Sequence, residues 1–249
     1  MDPLFWLLIG VVLQICLVAM LVRHKAFREF RFFFWFIVFS IAVDVLRYTV
    51  QLRYSHKVFF WVYWITAFLY DIFNVSVLYE VFWRTFREFY RRLAWFRLVF
   101  PGAVLLALAI ALLFHASFRP PREPGLITLV FSIEIAVDLI ELSLFAVFFM
   151  LVSFFALPWR SYAFAIVLGF AILSMGSWAA YWLRLVPGSK YREFFRYIPP
   201  ISYFCALLLW LAVFNRPEPK QDWALKVRPE ELLQELKEYG KILAAIKRR

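Results

Sequence analysis

The segment LITLVFSIEIAVDLIELSLFAVFFMLVSFFAL, which runs from Leu126 to Leu157, decides the class of the fold. As an α-helix it would be about 48 Å long, whereas the hydrocarbon core of a bilayer is about 30 Å thick. Its only charged residues are Glu134, Asp138 and Glu141. The segment therefore predicts a transmembrane helix.

The three acids of this segment are spaced i, i+4 and i+7, so they lie within about 60° of one another on one helix face. Three charges near the bilayer centre would cost about 7–10 kcal/mol, and the apolar residues of the segment return about 6–13 kcal/mol. Insertion is barely favourable if the acids are charged and unpartnered. We expect them to point toward the second, third or sixth predicted span, to face a watered cavity, or to be protonated.

The composition of the whole chain supports the same class. Hydrophobic residues make up 64% of the sequence and aromatic residues 22%, and the mean hydropathy is +0.74. Soluble domains contain about 45–50% apolar residues. The sequence is therefore that of an integral membrane protein, for which the lipid bilayer is the first partner.

Apolar runs predict seven spans, at about 4–22, 32–52, 58–82, 98–116, 126–157, 161–186 and 199–215. The first is expected to be retained, because its start lacks the basic residues of a signal peptide. Cys16 and Cys205 fall inside spans, so no disulfide framework is expected. Because the connections are short, residues 1–216 are predicted to form one all-α, seven-helix transmembrane bundle.

Small residues mark two of the spans as packing surfaces. They recur every four positions in the fourth span and pairwise in the sixth: Ala103, Ala107, Ala111, Ala165, Gly169, Gly176 and Ala180. Small residues at this spacing let helices approach closely in lipid. We therefore expect the fourth and sixth spans to be the inner packing elements.

The distribution of Lys and Arg predicts the orientation. They concentrate in 23–31, in 84–97 and after residue 216, and they are fewer in the connections on the opposite side. The positive-inside rule then places the N-terminus outside and the C-terminus in the cytoplasm. The net charge of +11 is interpreted as contact with anionic lipid, and nucleic acid is not an expected partner.

Residues 217–249 form a separate cytoplasmic tail in this interpretation, with an amphipathic helix at about 229–247. Its apolar residues step by four and three positions: Leu232, Leu236, Tyr239, Leu243 and Ile246. Two such repeats are too few to hold a dimer alone. The helix is expected to lie on the inner membrane surface, to pack on the bundle, or to pair with a membrane-protein or cytoplasmic partner.

Polar residues in several spans suggest a ligand, proton or cation pocket that opens outward. The predicted set is Asp44, Arg47, Asp71, Asn74, Glu134, Asp138, Glu141, Tyr181 and Arg184. Its acids outnumber its arginines, so pairing alone would leave carboxylates that need a proton or a bound cation. Arg47 is expected to have a carboxylate within hydrogen-bonding reach, and Glu80 is expected to pair with Arg84, four residues later. Buried pairing without any further role is the alternative.

The sequence lacks the residues and motifs that several well-known activities require. No lysine lies within 199–215 to hold retinal, and the three histidines lie at span ends, where a metal or haem site has little support. The motifs HExxH, GxSxG, CxxC and the P-loop are missing. The sequence therefore predicts no enzyme, no metal site and no identifiable cofactor.

The layout and the pairs Tyr63-Trp64, Tyr70-Asp71 and Tyr79-Glu80 resemble a group of bacterial seven-helix membrane proteins without an assigned activity. More loosely, the chain is similar to the seven-helix sensory modules of bacterial signalling proteins, whose last span runs into a cytoplasmic helix. The resemblance implies a location in the bacterial cytoplasmic (inner) membrane. It carries no functional residue across.

Three functions remain open at this point. The first is a non-enzymatic sensor, transducer or accessory subunit that binds something in the pocket and communicates through its tail. The second is a proton- or cation-translocating subunit that uses the carboxylates of the fifth span. The third is a structural subunit of a larger membrane complex.

The orientation is testable by labelling. A cysteine placed within 119–125 should react with a membrane-impermeant maleimide from outside, and one within 86–92 only after permeabilisation. The reverse pattern would contradict the N-out orientation and would turn the predicted pocket toward the cytoplasm.

Overall fold

The computed structural model describes residues 3–92, 97–117, 125–154, 161–185 and 197–216, and within these ranges it contains helices and no β-strand. The helices are α1 (Pro3–Arg23), α2 (Arg31–Arg53), α3 (His56–Thr85), α4 (Arg87–Arg92), α5 (Val99–Ser117), α6 (Gly125–Phe154), α7 (Tyr162–Leu185) and α8 (Ile198–Phe214). A short 3-10 turn, Ala26–Arg28, joins α1 to α2. The predicted tail, 217–249, lies outside the described residues.

Within the described residues, four helical segments are long and apolar enough to cross a membrane by length and composition: Arg31–Arg53, His56–Thr85, Val137–Phe154 and Tyr162–Ala180. The apolar segments Leu7–Arg23 and Ile198–Phe214 are shorter. The prediction of an all-helical membrane protein agrees with this structure. The seven long helices overlap the seven predicted spans, but the number of crossings and the orientation stay predictions.

The helices pack in a closed ring. α1 contacts α2 and α8, α2 contacts α3, and α3 contacts α6 and α7. The most extensive contact, between α7 and α8, completes the ring. α5 packs mainly against α6, and its buried Phe100 ring also packs on α3, 5.4 Å from the Phe82 ring.

Small residues explain the close approach of α7 to α8. A side chain at Gly169 would overlap the Trp210 ring, and one at Gly176 would overlap Ser202. The indole N–H of Trp210 also donates to the Ala165 carbonyl oxygen at 3.0 Å. The prediction that the sixth span, α7, is an inner packing element is therefore confirmed.

The same prediction for the fourth span, α5, stays a prediction. Ala103 packs against the core, whereas the side chains of Ala107 and Ala111 lie outside the described residues. Large residues on other faces of α5 point away from the bundle, since Leu105, Leu106 and Leu113 are 65%, 63% and 69% exposed.

Aromatic rings fill the space enclosed by α2, α7 and α8. The Phe33 ring lies 5.0 Å from that of Trp210 and 5.7 Å from that of Phe214, between ring centroids. The Phe36 ring lies 5.0 Å from that of Phe170. These separations are typical of favourable aromatic pairs, so the core is a continuous aromatic layer.

A side chain near the end of α3 caps the first turn of α2. The carboxylate of Glu80 accepts hydrogen bonds from the backbone N–H groups of Arg31 and Phe32 at 2.8 and 2.9 Å, and from the next N–H at 3.4 Å. The first N–H groups of a helix have no partner within the helix, and a negative charge there is favourable. Arg84, the expected partner of Glu80, forms its ion pair with Glu29 instead. Glu80 is therefore a cross-helix cap and not a surface pair.

The contact between α7 and α8 generates a stability prediction. Gly169→Ala should lower the melting temperature of the detergent-solubilised protein, because its Cβ meets a buried ring and overpacking costs about 1–3 kcal/mol. Gly102→Ala is the matched control, since no described atom lies within 4 Å of its Cβ. Equal melting temperatures for the two variants would contradict the packing of Trp210 on Gly169.

Candidate functional site

Glu141 is the most deeply buried acid among the described residues, with 4% of its surface exposed. It projects from α6 to a position between α3 and α7. The side-chain amide of Asn74 donates to its Oε1 atom at 2.7 Å, and the Ser174 hydroxyl is hydrogen-bonded to its Oε2 atom. The inward orientation predicted for this acid is therefore confirmed.

The partners of Glu141 are uncharged. In the part of the chain that the structure describes, no Lys, Arg or His forms an ion pair with it, and no group of three metal-binding side chains occurs. An isolated ionised carboxylate is costly to bury without a cation or a full set of donors. The carboxyl group thus has contacts that suit a neutral acid better than an anion.

The numbers of hydrogen-bond donors and acceptors around Ser174 support a protonated, neutral Glu141. Its single hydroxyl hydrogen faces two acceptors, the Glu141 carboxyl group and the Phe170 carbonyl oxygen at 3.0 Å. If Glu141 carries a proton on Oε2, it donates to Ser174, and Ser174 donates to Phe170. Asn74 continues to donate to Oε1. Every contact of the carboxyl group then has one donor and one acceptor.

A second polar cluster joins α1, α2, α3 and α8. The amide nitrogen of Gln14 lies 2.9 Å from Oδ2 of Asp44 and 3.1 Å from the Ser40 hydroxyl oxygen, and it also contacts the Tyr203 hydroxyl. The Tyr70 hydroxyl donates to Ser40 at 3.0 Å. Asp44 therefore also lies among neutral donors.

Of this second cluster the predicted pocket included only Asp44, and Gln14 and Tyr203, which join α1 and α8 to it, were not identified from the sequence. Gln14 is fully buried, and its carbonyl oxygen has no hydrogen-bond partner. It is the one amide side chain in the otherwise apolar first span. A single amide in an apolar span indicates a buried polar contact, so the sequence was sufficient to predict this residue. Tyr203 had no such signal, because tyrosines also occur at membrane interfaces.

The two clusters are neighbours on α3. Tyr70 belongs to one and Asn74 to the other, and residues four apart lie on the same helix face. The Phe36 ring packs beside both clusters, 5.8 Å from the Tyr70 ring and 5.0 Å from the Phe170 ring. Among the described residues, no hydrogen bond joins one cluster to the other.

Arg47 does not bind a carboxylate, so the prediction for this residue is wrong. Its guanidinium donates to the Thr66 hydroxyl at 2.8 Å and to the Tyr63 carbonyl oxygen at 3.1 Å. It also lies 4.4 Å from the centre of the Tyr63 ring, within the range of a cation–π contact. A backbone carbonyl, a hydroxyl and an aromatic face satisfy this cation, and Asp44 acts on it only through space.

The remaining residues of the predicted pocket divide into two groups. Asp71 and Asp138 are half-buried on α3 and α6. The other side chains lie outside the described residues: Glu134, Tyr181 and Arg184 of the pocket, and Leu232, Leu236, Tyr239, Leu243 and Ile246 of the tail. Among the described residues, the predicted single pocket is thus two clusters, and an opening to the outside stays a prediction.

No family model, curated protein or solved structure matches the chain. The resemblance to bacterial seven-helix proteins therefore stays a prediction, and the site has to be interpreted from its own geometry.

Proposed function

We propose that this chain is a non-enzymatic, sensor- or transducer-like integral membrane protein that responds to the binding of a proton at Glu141. One observation carries the proposal: this buried carboxyl group is held by the neutral side chains of Asn74 and Ser174 and by no described cation. Acids within membrane-spanning segments are costly and are typical of functional sites.

Loss of the proton would change the contacts among three helices. An ionised Glu141 accepts only, so Ser174 would have to choose between the carboxylate and the Phe170 carbonyl oxygen. The new charge would lie between α3, α6 and α7 with no described cation beside it. Proton binding and helix packing are therefore linked, which is the requirement for a switch.

The proposed setting is the bacterial cytoplasmic membrane, with seven spans, the N-terminus outside and the C-terminus inside. The apolar helices and the distribution of Lys and Arg support this arrangement. The tail helix would then carry the signal to a partner or lie on the inner membrane surface. If the partner stays bound permanently, the chain would be an accessory subunit of a larger complex, and the proposed role of Glu141 would be the same.

Proton translocation is the second candidate, and a separate observation favours it. A chain of hydrogen bonds leads from Asp44 through Gln14 and Ser40 to Tyr70 on α3. Asn74, which binds Glu141, lies one turn further along α3. A chain of polar groups between two carboxyl groups is a feature of proton relays in membrane proteins. Among the described residues no hydrogen bond joins Tyr70 to Asn74 or Glu141, so the chain is incomplete and sensing is the better-supported function.

The test uses the full-length protein in lipid vesicles. Tryptophan fluorescence should change reversibly with pH in the wild-type protein, and Glu141→Gln should abolish that change while the melting temperature stays close to that of the wild type. Glutamine keeps the shape and the neutrality of the protonated acid. Glu29→Gln is the control, because it makes the same chemical change at an exposed carboxylate.

A proton-flux assay on the same vesicles separates the candidates. Flux that requires Glu141 would favour translocation, whereas a pH response without flux would favour sensing. If Glu141→Gln retains the pH response of the wild type, the site only holds the helices together and the proposal fails.

A further inference from the structure

A cleft of about 940 Å³ lies between α3, α4 and the start of α5, on the side predicted to be cytoplasmic. Three arginines line it where the helices are connected: Arg87, Arg91 and Arg97. Its walls continue along α3 as far as Val75 and along α5 as far as Leu105. Val75 precedes the end of α3 by about 15 Å along the helix. The cleft is therefore charged at one end and extends well along the apolar helices.

The charged residues that line the cleft, among those the structure describes, are arginines. None of the described residues lining the cleft is acidic. The guanidinium of Arg87 lies 5.4 Å from the centre of the Trp83 ring, and Arg97 Nε lies 3.4 Å from the Tyr90 carbonyl oxygen. Both contacts hold these side chains at the rim of the cleft. An anion at the rim would meet several guanidinium groups, which are well suited to phosphate.

The other end has the character of a lipid-facing surface. Leu105 is 65% exposed, and Tyr79 also has a large exposed apolar surface. The buried Phe100 ring forms the floor, 5.3 Å from the Tyr79 ring. A soluble anion would leave the apolar walls of the cleft exposed, whereas an acyl chain would bury them.

We infer that this cleft binds an anionic phospholipid of the membrane leaflet on that side. The arginines bind the phosphate of the headgroup, and an acyl chain lies between α3 and α5 against Val75, Phe100 and Leu105. Charge complementarity at one end and apolar walls at the other select this occupant over a soluble anion or a zwitterionic lipid. The site is independent of Glu141, which lies on α6 and faces α3 and α7.

Native mass spectrometry of the full-length protein in detergent tests the inference. Phosphatidylglycerol should be retained in preference to phosphatidylcholine. Each of Arg87→Gln and Arg97→Gln should lower its retention about fivefold, and the double variant about 25-fold. Arg53→Gln is the matched control, because Arg53 is exposed at the end of α2 and does not line the cleft. Unchanged retention in the double variant would overturn the inference.

A second variant separates a lipid from a soluble anion. Leu105→Trp places bulk in the apolar part and keeps every arginine, so it should lower retention of phosphatidylglycerol without changing the melting temperature. Glycerol phosphate, the soluble headgroup, should compete poorly. Equal competition by glycerol phosphate, or equal retention of phosphatidylcholine, would contradict an anionic-lipid site.

Discussion

A bilayer core offers no water to a buried polar group, so buried polar groups in a membrane protein depend on partners within the protein. Glu141 meets this constraint through Asn74 and Ser174, which connect α6 to α3 and α7. Arg47 meets it through Thr66 and the Tyr63 backbone, which connect α2 to α3. The polar contacts therefore determine which helices lie side by side, while the apolar residues that surround them would permit several arrangements.

Close packing places these polar groups at a fixed depth. Gly169 lets α8 approach α7 until the Trp210 ring contacts the glycine backbone, and the aromatic layer of α2, α7 and α8 grows around that contact. Phe36 and Phe170 belong to this layer and pack beside the clusters that contain Glu141 and Asp44. A carboxyl group enclosed in this way has little access to ions from either side. A proton is then the ligand that best fits the space and the partners available.

The sequence predicted the parts of this structure that depend on local pattern. Helix positions follow from the length of the apolar runs, and the direction of Glu141 follows from the need to keep an acid out of lipid. The partner of Arg47 was predicted incorrectly because formal charge suggested an acid, whereas a carbonyl, a hydroxyl and a ring also satisfy a guanidinium. The contact between Gln14 and Tyr203 joins α1 to α8, which are far apart along the chain. No local spacing encodes such a pairing, so it required the structure.

The central claim is that Glu141 holds a proton in the resting protein. Infrared spectroscopy of the full-length protein in lipid vesicles at neutral pH tests it directly, because a protonated carboxylic acid has a carbonyl stretching band that a carboxylate lacks. The account predicts such a band in the wild-type spectrum, shifted by isotopic labelling of glutamate and lost in Glu141→Gln. If the variant instead loses only carboxylate bands, Glu141 is ionised in its buried position and the account is contradicted.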